Sequence, residues 1–162
     1  LGTFFGSTQS VAGVLMNCGM TNFSATGKVN NVEPGKRPRS SVSPTIVLKN
    51  GAPFLVVGTP GASRITSTMV ELLVNLIDFD MDAAEANSAP RFYCSKYEDF
   101  LHLEGGIGEP VREKLEKMGH SLRVHDGIDL FFGGAHIIRI DPESGAVCGA
   151  ADPRRSGTAG GD

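Results

Sequence analysis

The sequence predicts an α+β fold with a mostly antiparallel sheet. Three observations carry this reading. Asn50-Gly51, between β-branched and apolar runs at 45–48 and 54–57, is the dipeptide of a type I′ hairpin, whose two central residues need φ > 0. A second hairpin joins 136–140 to 146–149 through Asp141-Pro142-Glu143-Ser144-Gly145, which carries turn chemistry at every position. Strands and helices otherwise mix without clean βαβ repeats, which disfavours a doubly wound sheet.

Taken in order, residues 1–10 open in mid-pattern, as a strand end running into a Gly/Ser/Thr loop, and imply missing chain before them. Val14-Leu15-Met16 reads as a short buried strand, and 17–24 as a polar turn anchored by Met20 and Phe23. Residues 25–35 are loop. The best helix starts at Ser63 or Thr66 and runs to Phe79, with Ile65, Met69, Leu72, Leu73, Leu76 and Ile77 on one stripe. It begins directly after Gly61-Ala62-Ser63, so its positive end faces that loop. A short helix at 81–89 stops at Pro90. Strands follow at 91–94 and 101–104. A helix at 110–118 turns Val111, Leu115 and Met118 inward and ends at Gly119. A strand at 122–125 and a Gly/Phe loop at 129–134 precede the second hairpin, and the tail from Ala150 has no periodicity.

The chain of 162 residues is long enough for a real core, and 40% hydrophobic with 20% charged residues places it among globular proteins. We read it as a single domain, 1–162. A net charge of −3 gives no long-range pull toward nucleic acid or an anionic membrane. The three cysteines lack zinc or disulfide spacing and read as partly buried thiols, and the four histidines show no metal-ligand spacing. No metal site is therefore expected. The 21 glycines point to many tight turns.

The first hairpin brings its outer ends together. The 36–44 loop, with Ser40 and Ser41, and the 58–64 loop, with Gly61-Ala62-Ser63, are thereby expected at one sheet edge. Hydroxyls and backbone N–H groups in one place suit an anion or a developing oxyanion; two ordinary loops are the plain alternative. No Gly-Lys-Ser/Thr follows the glycines, so a P-loop is excluded, and no G-x-S-x-G elbow exists. Lys36, Arg37 and Arg39 form a basic cluster that fits either a local anion contact or a solvated loop.

The motifs G-K-R-P-R-S-S-V-S-P-T-I-V, V-G-T-P-G-A-S-R-I, A-P-R-F and A-A-D-P-R-R-S-G-T-A-G closely resemble the γ-glutamyltranspeptidase family in its small subunit. They stand in the family order and cover nearly the whole chain. The resemblance implies an N-terminal nucleophile hydrolase with an αββα sandwich, here partial and without its nucleophile strand. It implies a precursor that cuts itself into two subunits, a new N-terminal threonine as nucleophile, and no cofactor. The implied partners are the large subunit of the same precursor and a small amide or peptide substrate.

Residue by residue, Ser40 and Ser41 match the serine pair that contacts a substrate carboxylate. Gly61 and Ala62 match the glycine pair whose N–H groups form the oxyanion hole, with alanine replacing the second glycine. Asn22 falls where the family has an aspartate for the substrate α-ammonium, and Gly19 where it has glutamine or glutamate. Gly2 falls at a usual asparagine, and Arg39 replaces an apolar residue beside the serines. A charge-assisted hydrogen bond contributes about 1.5–3 kcal/mol, so loss of the aspartate alone weakens recognition of an α-amine by about tenfold or more. The implied donor is therefore either a γ-glutamyl amide or a glutaryl- or cephalosporin-type amide, as in the related acylases; a non-catalytic relative is the third reading. Thr3 and Thr8 are internal and cannot replace the threonine, so the 162 residues alone are expected to be inert and to self-associate. Relatives are often exported, and the compartment stays open.

Overall fold

The structure, a computed structural model, describes residues 6–27 and 29–161. Gly2, Thr3 and the opening strand end lie outside the described residues. The chain divides into two compact units, Leu1–Ser41 and Val42–Asp162.

In the first unit, β1 (Ser10–Val11) and β2 (Val14–Leu15) form a small hairpin. Its turn, Ala12-Gly13, takes positive φ at both positions (50° and 78°). Val14, Leu15 and Met16 are exposed rather than buried, because a two-stranded ribbon buries neither face without a second layer. A 3-10 turn spans Gly19–Asn22. Met20 is exposed and does not act as an anchor; among the described residues of this unit Cys18 alone is buried.

The second unit holds two sheets. The first has the strand order β3 (Thr45–Lys49), β4 (Ala52–Gly58), β8 (His136–Ile140), β9 (Val147–Ala151), all antiparallel. The Asn50-Gly51 turn has φ of 53° and 83°, as a type I′ turn requires. The alternation of the strands puts Val47, Leu55, Val57, Ile137 and Ala150 on the inner face. There they meet α1 (Ile65–Ile77) and α2 (Ala83–Ser88). Ile65, Met69, Leu72 and Leu76 of α1 complete this core, at about 1.5–3 kcal/mol for each side chain fully buried. Ile77, at the helix end, is exposed, and Thr68 is buried in the stripe with its Oγ1 donating to the Phe132 carbonyl (3.2 Å). Asp82 and Glu85 form a reciprocal capping box that starts α2.

The second sheet has the order β5 (Phe92–Cys94), β6 (Phe100–Glu104), β7 (Ser121–His125). β5 is antiparallel to β6, but β6 and β7 are parallel and joined by α3 (Glu109–Lys117). One βαβ unit is therefore present where none was expected, since pairing sense is not a local property of either strand. α3 ends in a Schellman motif: His120 N–H donates to Leu115 O (3.1 Å) and Gly119 N–H to Glu116 O (2.9 Å), with Gly119 at φ 96°. Val111 (50%) and Met118 (73%) are exposed rather than inward. The helix packs mainly against the edge strand β7, and such a contact buries one narrow line of residues. Cys94 and Cys148, expected to be partly buried, are exposed on the edge strands β5 and β9.

Candidate active site

The expected site residues fall in both units. Gly19, Asn22, Arg39, Ser40 and Ser41 belong to the first; Gly61 and Ala62 belong to the second.

In the first unit one side chain ties the expected residues together. Asn30 Nδ2 donates to the Asn22 carbonyl (2.8 Å), and Asn30 Oδ1 accepts from the Arg39 N–H (2.9 Å). Asn30 thus fixes the 3-10 turn relative to the strand of chain that leads to Ser40 and Ser41. The turn is further set by Asn17, whose Oδ1 accepts from the Gly19 N–H (2.7 Å), and by the Thr21 hydroxyl, which donates to Cys18 O (2.8 Å). A Cβ at position 19 would stand 2.8 Å from Asn17 Oδ1. Glycine at this position is therefore coupled to the Asn17 side chain. Lys36 is paired to Glu33 (2.8 Å), so part of the basic cluster is already neutralised.

In the second unit β4 ends at Gly58, and the chain turns through Thr59 and Pro60. Gly61 has φ 151° and Ala62 φ 53°. A residue with a Cβ in this left-handed region carries about 1–2 kcal/mol of strain, and Ala62 sustains it where the resemblance has glycine. A 3-10 turn at Ala62–Arg64 then feeds α1, with the Arg64 N–H donating to Gly61 O (3.0 Å). The α-helix thus starts at Ile65, between the two starts the sequence suggests.

Three contacts pin this turn. The Tyr93 hydroxyl meets Ser63 Oγ at 3.2 Å, and the Arg64 guanidinium carbon lies 4.3 Å from the centre of the Phe131 ring. Gly133 closes against the preceding residues: a Cβ there would stand 2.6 Å from Pro60 O and 2.8 Å from Thr59 Oγ1. Glycine is also required at 133 by φ 99°.

Behind the turn lies a buried ionic lattice. Glu104 Oε1 accepts from Arg154 Nε (2.7 Å) and the Asp129 N–H (2.9 Å). Glu104 Oε2 accepts from Arg154 Nη2 and the Arg91 N–H (2.8 Å). Asp152 Oδ2 accepts from Arg91 Nη2 (2.7 Å) and the Ala135 N–H (2.7 Å), and its Oδ1 from Arg154 Nη1 (3.1 Å). Two cations and two carboxylates balance, and each carboxylate oxygen is hydrogen-bonded. Burial opposes the Asp152 charge, but the Arg154 N–H and the Arg91 guanidinium hold its carboxyl below the usual range. Burial likewise opposes the Arg154 charge, and its hydrogen bonds to Glu104 more than compensate, raising it. Glu71 on α1 is the exception: burial pushes its carboxyl up to about 7 although it accepts from the Phe92 N–H (3.1 Å).

Asn30, Tyr93, Gly133 and the lattice partners were not singled out from the sequence as site residues. Arg91 and Arg154 lie within A-P-R-F and A-A-D-P-R-R, but nothing local in those motifs signals burial.

A sequence profile described as "Gamma-glutamyltranspeptidase" matches residues 1–161. The chain belongs to this family. Among γ-glutamyltranspeptidase relatives it is 38% identical to a glutathione hydrolase proenzyme of Escherichia coli K12, over 95% of this chain and 28% of that protein. The chain thus spans little more than a quarter of that relative's length. A crystal structure of a T380A mutant of Helicobacter pylori γ-glutamyltranspeptidase superposes with a TM-score of 0.81 at 38% identity, covering 95% of this chain and 89% of that one. A cephalosporin acylase from Bacillus halodurans superposes with a TM-score of 0.78 at 27% identity, over 90% of this chain and 27% of that one. The mixed helix-and-sheet fold is that of γ-glutamyltranspeptidase structures.

Proposed function

We propose that this chain is the substrate-receiving part of a γ-glutamyltranspeptidase-family amide hydrolase and acyl transferase. The observation that carries the reading is the Gly61-Ala62 turn. It pairs two positive-φ residues at the mouth of a helix, in a chain matched by the family profile from end to end. In this reading the N-terminal threonine of the matured subunit attacks the donor amide carbonyl. The N–H groups of Gly61 and Ala62 receive the oxyanion, and the amine leaves. The acyl-enzyme then passes to water or to an acceptor amine. Such donors act at about 2.7–3.1 Å from the oxyanion, so the strain held at Ala62 is consistent with a turn kept for its N–H direction.

Ser40 and Ser41 are the proposed carboxylate contacts. The large subunit of the same precursor is the proposed partner. The outer face of the four-stranded sheet supports this: Ile46 (65%), Ile138 (41%) and Val147 (66%) are exposed there, as suits one layer of an αββα sandwich.

The altered amine site favours a donor without an α-ammonium. Gly19 offers no side chain, and Asn22 offers no charge. The likeness to a cephalosporin acylase supports the same choice. Steady-state kinetics of the full-length, matured protein on glutaryl and γ-glutamyl anilides test this. A higher kcat/KM for the glutaryl compound is expected; a clear γ-glutamyl preference contradicts the donor assignment, and no turnover of any amide contradicts the functional reading.

A further inference from the structure

A second polar network adjoins the Gly61-Ala62 turn and has no part in the chemistry proposed above. Four side chains stand in series. Glu98 Oε2 lies 2.7 Å from His102 Nε2, His102 Nδ1 lies 3.0 Å from His125 Nε2, and His125 Nδ1 lies 2.6 Å from Asp129 Oδ2. His102 is 2% exposed.

The proton count follows from these distances. A carboxylate has no proton to give, so the outer nitrogen of each ring carries one. The contact between the rings needs one proton and has room for one. Three protons on four ring nitrogens are one more than two neutral imidazoles hold. The Phe131 N–H and His125 hold the Asp129 carboxyl below the usual range, which keeps it an acceptor.

The pair is coupled to the turn through aromatic contacts. Phe131 stacks on His102 (centroids 4.8 Å apart) and lies 4.7 Å from His125. The same ring carries the Arg64 guanidinium at 4.3 Å, and its edge contacts are Phe132 and Tyr93, the latter holding Ser63. The other charged groups around the chain are Glu104 of β6, which accepts from the Asp129 N–H, and Arg123 of β7, which sits over Phe100.

We propose that His102 and His125 are positioning residues: they share one extra proton, and that proton holds Phe131 and Arg64 so that the Gly61-Ala62 turn keeps its catalytic shape. The consequence for turnover rests on the functional reading above; the proton count does not. A fourth proton in acid sets N–H against N–H and opens the contact between the rings. Loss of the third in base leaves a lone pair facing another lone pair or a carboxylate. Either change loosens the stack on Phe131, so kcat falls on both sides while KM is spared.

The test uses the full-length matured protein with 15N-labelled histidine. NMR at neutral pH is expected to show three ring protons on His102 and His125 together, one of them correlated to both rings. The kcat–pH profile is expected to be bell-shaped. His125→Gln should lose about tenfold in kcat with KM nearly unchanged, and should flatten the acid limb. Phe131→Leu, which leaves the histidine chain in place, should keep the three ring protons and still lose kcat. Two or four ring protons at neutral pH, or a kcat profile in which His125→Gln matches the parent, overturns the proposal. If the parent turns over no amide at all, the functional reading falls, and the ring-proton count still decides whether the chain is shared.

Discussion

Around Glu104, two guanidinium groups and two carboxylates are buried with every carboxylate oxygen bonded; around His102, two imidazoles stand in series between two carboxylates. The networks occupy the same strand, β6, two residues apart, and meet at Asp129. Its N–H donates to Glu104, and its side chain accepts from His125 and from the Phe131 N–H. The arginine lattice pairs each buried charge with an opposite one and forms a floor. On the proposal above, the histidine chain shares one extra proton, and its geometry depends on pH.

The largest expected effect comes from breaking the floor. Arg154→Met removes the donors to Glu104 and Asp152, and also those to the carbonyls of Asn87 (2.6 Å) and Ala89 (3.0 Å). Urea unfolding should show a loss of about 3–5 kcal/mol, and Arg154→Lys should recover less than half of it because an ammonium lacks the planar fork.

Glu71 comes next. Its carboxyl is displaced from 4.5 to about 7, so between these values the folded protein binds a proton that the unfolded chain has released. Stability from this group is therefore gained as pH falls through about 7 and lost as it rises. Glu71→Gln should stabilise by about 2 kcal/mol at pH 8 and by little at pH 5, measured by denaturant midpoints at both pH values. Asp152 and Asp129 act in the opposite sense: their contribution is present above the ordinary aspartate range and lost in acid as pH falls through their depressed values.

Gly133→Ala forces a methyl against Pro60 O at a positive φ. A cost of about 2–3 kcal/mol is expected, together with a fall in kcat, since Pro60 precedes Gly61. Ala62→Gly should be the mildest change. Relief of left-handed strain offsets the added chain entropy, leaving stability within about 1 kcal/mol of the parent by thermal unfolding.

Much of the fold was legible because its signals are local. Asn50-Gly51 set one hairpin, 141–145 set the other, and the stripe from Ile65 to Leu76 set the helix. What was not legible depends on distant partners. Arg154 and Glu104 are 50 residues apart, and His102 and His125 are 23 apart, a separation that no ligand-spacing motif tests. The sense of the β6–β7 pairing and the exposure of Val111 and Met118 depend on what each element packs against. The candidate site was named in another way: Gly61 and Ala62 came from the motif that carries the resemblance, and the structure adds the strain at Ala62 and its supports, Tyr93, Arg64 and Gly133. Asn30 escaped notice because an asparagine in a loop reads as turn chemistry.

The donor assignment at Gly19 and Asn22 is tested most directly by restoring one charge. Asn22→Asp in the full-length matured protein changes a single side chain in the turn that Asn30 holds by its backbone. The ratio of kcat/KM for γ-glutamyl over glutaryl anilide should rise about tenfold, the worth of one charge-assisted hydrogen bond to an α-ammonium. An unchanged or falling ratio would contradict the placement of residue 22 at the amine site.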